Sequence, residues 1–139
     1  MTRVDFHFNA PQKLHYACRL VRKIHRAGLR AVVFSSDAQQ LAEFDQLLWS
    51  FAPLEFIPHV AVDDPLAAET PVLLAADDAQ VPHHEVIVNL GPDTPAHFSR
   101  FDRLVEIVST ADEDREAGRE RWRFYRDRGY PMHRHDCAA

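Results

Sequence analysis

The first fifty residues present a strand signal followed by a helix signal, twice over, and that order constrains the fold more than any other feature of the chain. Val4-Asp5-Phe6-His7-Phe8 alternates apolar and polar side chains, the two-residue period of a half-buried strand. Pro11 follows at a position where a first helical turn accepts proline, and Leu14, Ala17, Cys18, Val21, Ile24 and Gly28 then recur every three or four residues as one apolar face. Gly28 predicts the stop of that helix. Ala31-Val32-Val33-Phe34 is a short continuous apolar run, expected of a strand covered on both faces. Ser35, Ser36 and Asp37 offer N-caps for a helix over 38–49 that turns Leu41, Phe44, Leu47 and Leu48 inward. Strand, helix, strand, helix is the pattern of a parallel sheet with right-handed crossovers.

The rest of the chain extends this pattern. Residues 51–59 hold Pro53 and Pro58 and read as a loop with a short edge strand. Further strands are expected over 72–75 and 86–90, and their short connector leaves that pair antiparallel or only partly paired. A short helix over 96–101, a strand over 104–108 and a last helix from about Ala111, capped by Ser109 or Thr110, complete the order. Acids at 112–114 fill the first turn of that helix and arginines crowd its end, which suits the helix dipole. Gly129 and Pro131 end it, and residues 132–139 read as a flexible tail. The expected architecture is therefore one α/β domain over 1–131: three layers, α/β/α, around a mostly parallel, open, Rossmann-like sheet.

Composition excludes several functions for such a sheet. The 139 residues contain four glycines, at 28, 91, 118 and 129, too scattered to build a phosphate-cradling loop, so the nucleotide-binding look of the fold has no loop to support it. No GxSxG elbow and no CxxC pair occurs, and Cys18 and Cys137 stand too far apart to frame a disulfide scaffold. No apolar run reaches membrane-spanning length, and MTRVDFHFNAPQK lacks the apolar stretch of a signal peptide, so a cytosolic protein is expected. Net charge is −5, but it is unevenly distributed. Residues 115–128 carry six arginines against three acids, while the rest of the chain carries ten bases and eighteen acids. An acidic body with one arginine-rich segment points to a specific acidic partner rather than to general polyanion binding.

Sites for chemistry are sparse. His133-Arg134-His135-Asp136-Cys137 could chelate a metal, but a structural metal site draws ligands from more than one rigid element, and no metal or other cofactor is expected. His83-His84 reads as a surface-loop pair, and Asp77-Asp78 as a turn that could also hold magnesium at a sheet edge. An enzyme would have to assemble its site at the carboxyl ends of the strands from Asp37, Asp77 or His7. The last helix is more informative. Arg115, Arg119, Trp122 and Arg126 fall on one stripe, a poor core face and a good docking face, because guanidiniums fork onto carboxylates while an indole supplies a flat apolar floor. The neighbouring stripe of Ala117, Arg121, Phe124, Tyr125 and Arg128 offers rings to pack on the sheet. The same Arg/Trp face could instead hold single-stranded DNA directly, which the acidic remainder of the chain disfavours. A second apolar surplus, at Leu47-Leu48-Trp49-Ser50-Phe51 and Phe56-Ile57-Pro58, is either an exposed patch for another subunit or the closure of the core.

Three segments carry a family resemblance that extends over almost the whole chain: Phe44-Asp45-Gln46-Leu47-Leu48-Trp49; Phe56-Ile57-Pro58-His59; and Gly118-Arg119-Glu120-Arg121-Trp122-Arg123-Phe124-Tyr125-Arg126 with Gly129-Tyr130. In combination they resemble the chi subunit of bacterial DNA polymerase III. The resemblance implies a non-catalytic accessory subunit, attached to the clamp loader through the psi subunit. It also implies binding of the acidic C-terminal tail of the single-stranded-DNA-binding protein, which ends in an apolar residue with a free carboxylate. Tail contacts are then expected at Arg115, Arg119, Trp122 and Arg123, with Val108 lining an apolar pocket, and the docking stripe adds Arg126 to them. A psi-facing surface is expected at Trp49, Phe51, Phe56 and Pro58. Arg115 and Arg123 stand where the family pattern leads one to expect lysine, and Trp122 where it leads one to expect tyrosine; charge and ring are kept.

Overall fold

The fold was analysed in a computed structural model, which describes residues 1–52, 54–77 and 81–138. Among the described residues seven strands form one sheet: β1 (Arg3–Ala10), β2 (Ala31–Phe34), β3 (His59–Ala61), β4 (Val72–Ala75), β5 (Val86–Asn89), β6 (Arg103–Ser109) and β7 (Met132–Asp136). Their order across the sheet is β3-β4-β2-β5-β6-β1-β7, and every adjacent pair is parallel. Three helices cross between them: α1 (Lys13–Arg26), α2 (Ala38–Ser50) and α3 (Asp112–Asp127). The central strands β2, β4 and β5 are buried at every residue, which is why their sequences read as unbroken apolar runs.

Two cores flank the sheet, giving the expected three layers. On one face Ala17, Cys18, Val21 and Ile24 of α1 and Phe44 and Leu48 of α2 pack on Val33, Val88, Val105 and Ile107. On the other, Tyr125 of α3 packs with Phe98 and Phe101 on Val4, Phe6, Val32, Ile87 and Leu104. Gly28, at φ +78°, closes the end of α1 as its position predicts. Asp37 caps α2, its carboxylate accepting from the backbone N–H groups of Gln39 and Gln40. Among the described residues no helix is long and apolar enough to cross a membrane.

Three local expectations need correction. The segment after Pro131 is no loose tail: residues 132–136 form β7, in register with β1 from Val4–Met132 to Phe8–Asp136. The open edge of β1 needs backbone partners, and β7 supplies them while its side chains stay mostly in solvent, so the strand carries no apolar alternation. β4 and β5 are not partners of each other but flank β2 on either side, each parallel to it. Neither Ser109 nor Thr110 caps α3; the N-cap position is Ala111, and Asp114 reaches back instead, accepting from Ser109 N–H at 2.7 Å and from Lys13 Nζ at 2.8 Å.

Candidate functional site

The orientation of α3 is set by a buried polar cluster. Glu106 of β6 is fully buried and accepts from Arg121 Nε at 3.0 Å, from the Tyr125 hydroxyl at 2.6 Å and from Asn89 Nδ2 at 3.0 Å. Arg121 also donates through Nη1 to the Pro92 carbonyl at 2.8 Å. Burial, and then the Glu106 charge beside it, pushes the Tyr125 phenol well above its ordinary value, so it stays a donor. One of the six clustered arginines is therefore structural, held in a buried ion pair with Glu106. That pins one side of α3 to the sheet and leaves the stripe through 115, 119 and 122 facing outward.

Beside that stripe lies an open groove of about 430 Å³, lined by Arg115, Gly118, Arg119 and Trp122 of α3, Val108 of β6, Phe6, Phe8 and Asn9 of β1, and Arg134 of β7. Gly118 makes the floor possible, since a Cβ there would lie 2.8 and 3.0 Å from the two Val108 methyls. Without a side chain at 118 the helix settles close on β6. Trp122 is half-buried and sits edge-on to Phe6, ring centroids 5.1 Å apart, so its indole is a wall of the groove rather than a core plug. Arg115 and Arg119 are exposed and make no ion pair among the described residues. Four of the six residues expected to bind an acidic tail (Val108, Arg115, Arg119 and Trp122) are thus brought together. Arg123 and Arg126 are exposed outside the groove and pair with Glu120 at 3.4 Å and Asp127 at 3.0 Å. Periodicity along α3 could not find Phe6, Phe8, Asn9 and Arg134, although the alternation of β1 does place Val4, Phe6 and Phe8 on one face.

The second candidate surface lies at the far end of the sheet. Trp49 and Phe56 are 54% and 64% exposed and stack on each other with centroids 5.4 Å apart. Trp49 also rests on the buried His59 ring at 4.6 Å, and His59 is held by the Ile57 carbonyl and by Asp45 at 3.0 Å. Leu54 beside them in the loop is fully exposed. Phe51 and Pro58 are half-buried; Phe51 lies under the Arg22 guanidinium and against His15.

The residues considered for catalysis or metal binding are engaged otherwise. Asp37 is a helix cap. His7 accepts or donates through Nδ1 to the Tyr16 hydroxyl at 2.5 Å, and its pKa is lowered to about 4, by burial first and then by His135. His83 is buried while His84 packs on Phe101 at 5.2 Å. Asp77 is exposed after β4, and Asp78 lies outside the described residues. Among the described residues no three His, Cys, Asp or Glu side chains converge as metal ligands, and His133 and Cys137 belong to and follow an extended edge strand.

Comparison with known proteins places the chain in a family. Residues 1–133 match the family model of the DNA polymerase III chi subunit, HolC. The chain is 36% identical over 139 residues to the DNA polymerase III subunit chi of Pseudomonas aeruginosa, covering 97% of this chain and 96% of that one. It is 25% identical to the subunit chi of Haemophilus influenzae, over 84% and 81% of the two chains, and 22% identical to that of Escherichia coli, over 83% and 79%. With a family match across nearly its whole length and a relative this similar, the chain belongs to the DNA polymerase III chi-subunit family and so to the machinery of DNA replication.

Proposed function

We propose that this chi-family chain is a non-catalytic adaptor of the polymerase III holoenzyme that binds the acidic C-terminal tail of the single-stranded-DNA-binding protein. The observation that carries this reading is the groove in which Arg115 and Arg119, free of intramolecular carboxylates among the described residues, flank an apolar floor of Val108, Gly118 and Trp122. A chain terminus that is anionic and ends in an apolar side chain fits both halves of that surface. Its carboxylate takes the guanidinium forks, which suit planar carboxylates better than ammonium groups do, and its last side chain takes the floor. The exposed Trp49–Phe56 pair supports a second proposal of the same reading: that the opposite end of the sheet docks the psi subunit, through which the protein joins the clamp loader.

Fluorescence anisotropy with a labelled acidic peptide ending in phenylalanine tests the groove. Binding in the micromolar range (about 10⁻⁶ M) is expected, weakened about tenfold by Arg119→Ala and falling steeply with added salt. Binding unchanged both in that variant and in high salt rejects the docking face. Capture of an oligonucleotide alone at physiological salt would favour direct single-strand binding instead.

A further inference from the structure

We infer that Arg134 is a specificity-determining residue of the groove, reading an acidic side chain about three residues upstream of a bound C terminus. The inference rests on the tail-docking reading above and adds a contact from the other side of the site. Arg134 belongs to β7, and its register partner on β1 is Phe6, so it projects on the same sheet face as the groove wall. Its guanidinium lies 5.2 Å from the Phe8 ring centroid and 5.9 Å from that of Trp122. Both rings lie within cation–π reach of the guanidinium, and Arg134 is exposed to solvent. Arg134 makes no ion pair or side-chain hydrogen bond among the described residues, although Asp136 is two residues away; Asp136 accepts from Asn9 Nδ2 at 3.1 Å instead.

The spacing tells the cations apart. Arg115 and Arg119 lie on α3 on either side of Gly118, next to the Val108 floor on β6, where the last apolar side chain and its carboxylate belong. β7 is two strands from β6, with β1 between them, a separation of roughly 10 Å at about 4.8 Å per strand. An extended peptide advances about 3.3 Å per residue, so a chain anchored at Val108 and running across β1 comes level with Arg134 about three residues before its end. A carboxylate there meets a guanidinium already positioned by two rings.

The test compares peptides and variants by fluorescence anisotropy. Three labelled decapeptides are used: one acidic and ending in a free-carboxylate phenylalanine, one with its upstream acids replaced by the corresponding amides, and one amidated at the C terminus. Arg134→Met keeps the apolar stem and removes the charge, and Arg134→Lys keeps the charge and removes the fork. We expect Arg134→Met to weaken the acidic peptide about fivefold, and the peptide with neutral upstream residues hardly at all. C-terminal amidation should cost the same factor in Arg134→Met as in the wild-type chain, and Arg134→Lys should recover part of the loss. An unchanged affinity in Arg134→Met, or an equal loss for both upstream compositions, overturns the inference while leaving the groove reading intact. Failure of the wild-type chain to bind the acidic peptide overturns both.

Discussion

The two ends of the sheet are built from opposite materials. At the β1–β7 end, a concave surface is walled by rings and rimmed by arginines that make no ion pair among the described residues. At the β3 end, about 29 Å away across six strand spacings, two aromatic rings and a leucine stand in solvent, and the nearby Arg22 and Arg26 are paired with Glu55. The first kind of surface recognises a small charged feature reversibly and loses affinity in salt; the second buries area against a folded partner and is nearly indifferent to salt. The two proposed docking surfaces lie at opposite ends of one parallel sheet, so partners docked there would not compete for space.

The largest effect is expected where the groove end depends on its buried carboxylate. Glu106→Ala leaves Arg121 as an uncompensated buried charge and should lower unfolding stability by about 3–5 kcal/mol, read by urea denaturation. A loss under 1 kcal/mol would mean that α3 is held by packing alone, and that the two ends differ less in construction than the cluster implies.

Acid should act next, and on the same end. His7 of β1 faces Tyr16 and His135, with Asp5, Arg103 and Lys23 contributing to its field. Its folded pKa of about 4 lies below the unfolded value of 6.5, so the unfolded chain takes up a proton that the folded protein refuses. Its contribution is complete above pH 6.5 and is lost as the pH falls towards 4, by up to about 3 kcal/mol. Denaturation at pH 7 and pH 5 should show a shallower pH dependence for His7→Gln than for the wild-type chain.

The remaining two experiments separate the ends directly. Trp49→Glu combined with Phe56→Glu should cost about 2 kcal/mol or more in binding the psi subunit, measured by co-elution or calorimetry, while leaving acidic-peptide affinity unchanged. Arg119→Ala should do the reverse at about 1.4 kcal/mol, with a reduced salt dependence and no change in thermal stability, since Arg119 has no intramolecular partner among the described residues. Cross-effects of either pair on the other partner would remove the separation of functions.

Much of the frame was legible because helices and buried strands advertise themselves by period. The apolar face of α1 and the apolar runs of β2 and β4 lie where the sequence pattern placed them, while of the Arg115–Arg119–Trp122–Arg126 stripe on α3 the first three line one groove and Arg126 lies outside it. Arg121 was legible only in part. Spacing put it on the stripe with Tyr125 that packs on the sheet, but its pairing with Glu106, on a strand fifteen residues earlier, could not be read from that spacing. β7 was hidden for a different reason: an edge strand needs backbone partners but no apolar side chains, and MHRHD offers none of the alternation that marks a strand with a buried face.

What the chain's own sequence determined was therefore local: which segments become helices and strands, which faces are apolar, and that one helix carries surplus positive charge. Only the assembled sheet decided that Arg121 is withdrawn from that surplus, because its carboxylate partner Glu106 lies on a strand beneath the helix, whereas Arg123 and Arg126 pair locally with Glu120 and Asp127. It also decided that Phe8 and Arg134, 126 residues apart in sequence, share one groove, since β7 from the far end of the chain pairs with the edge of β1.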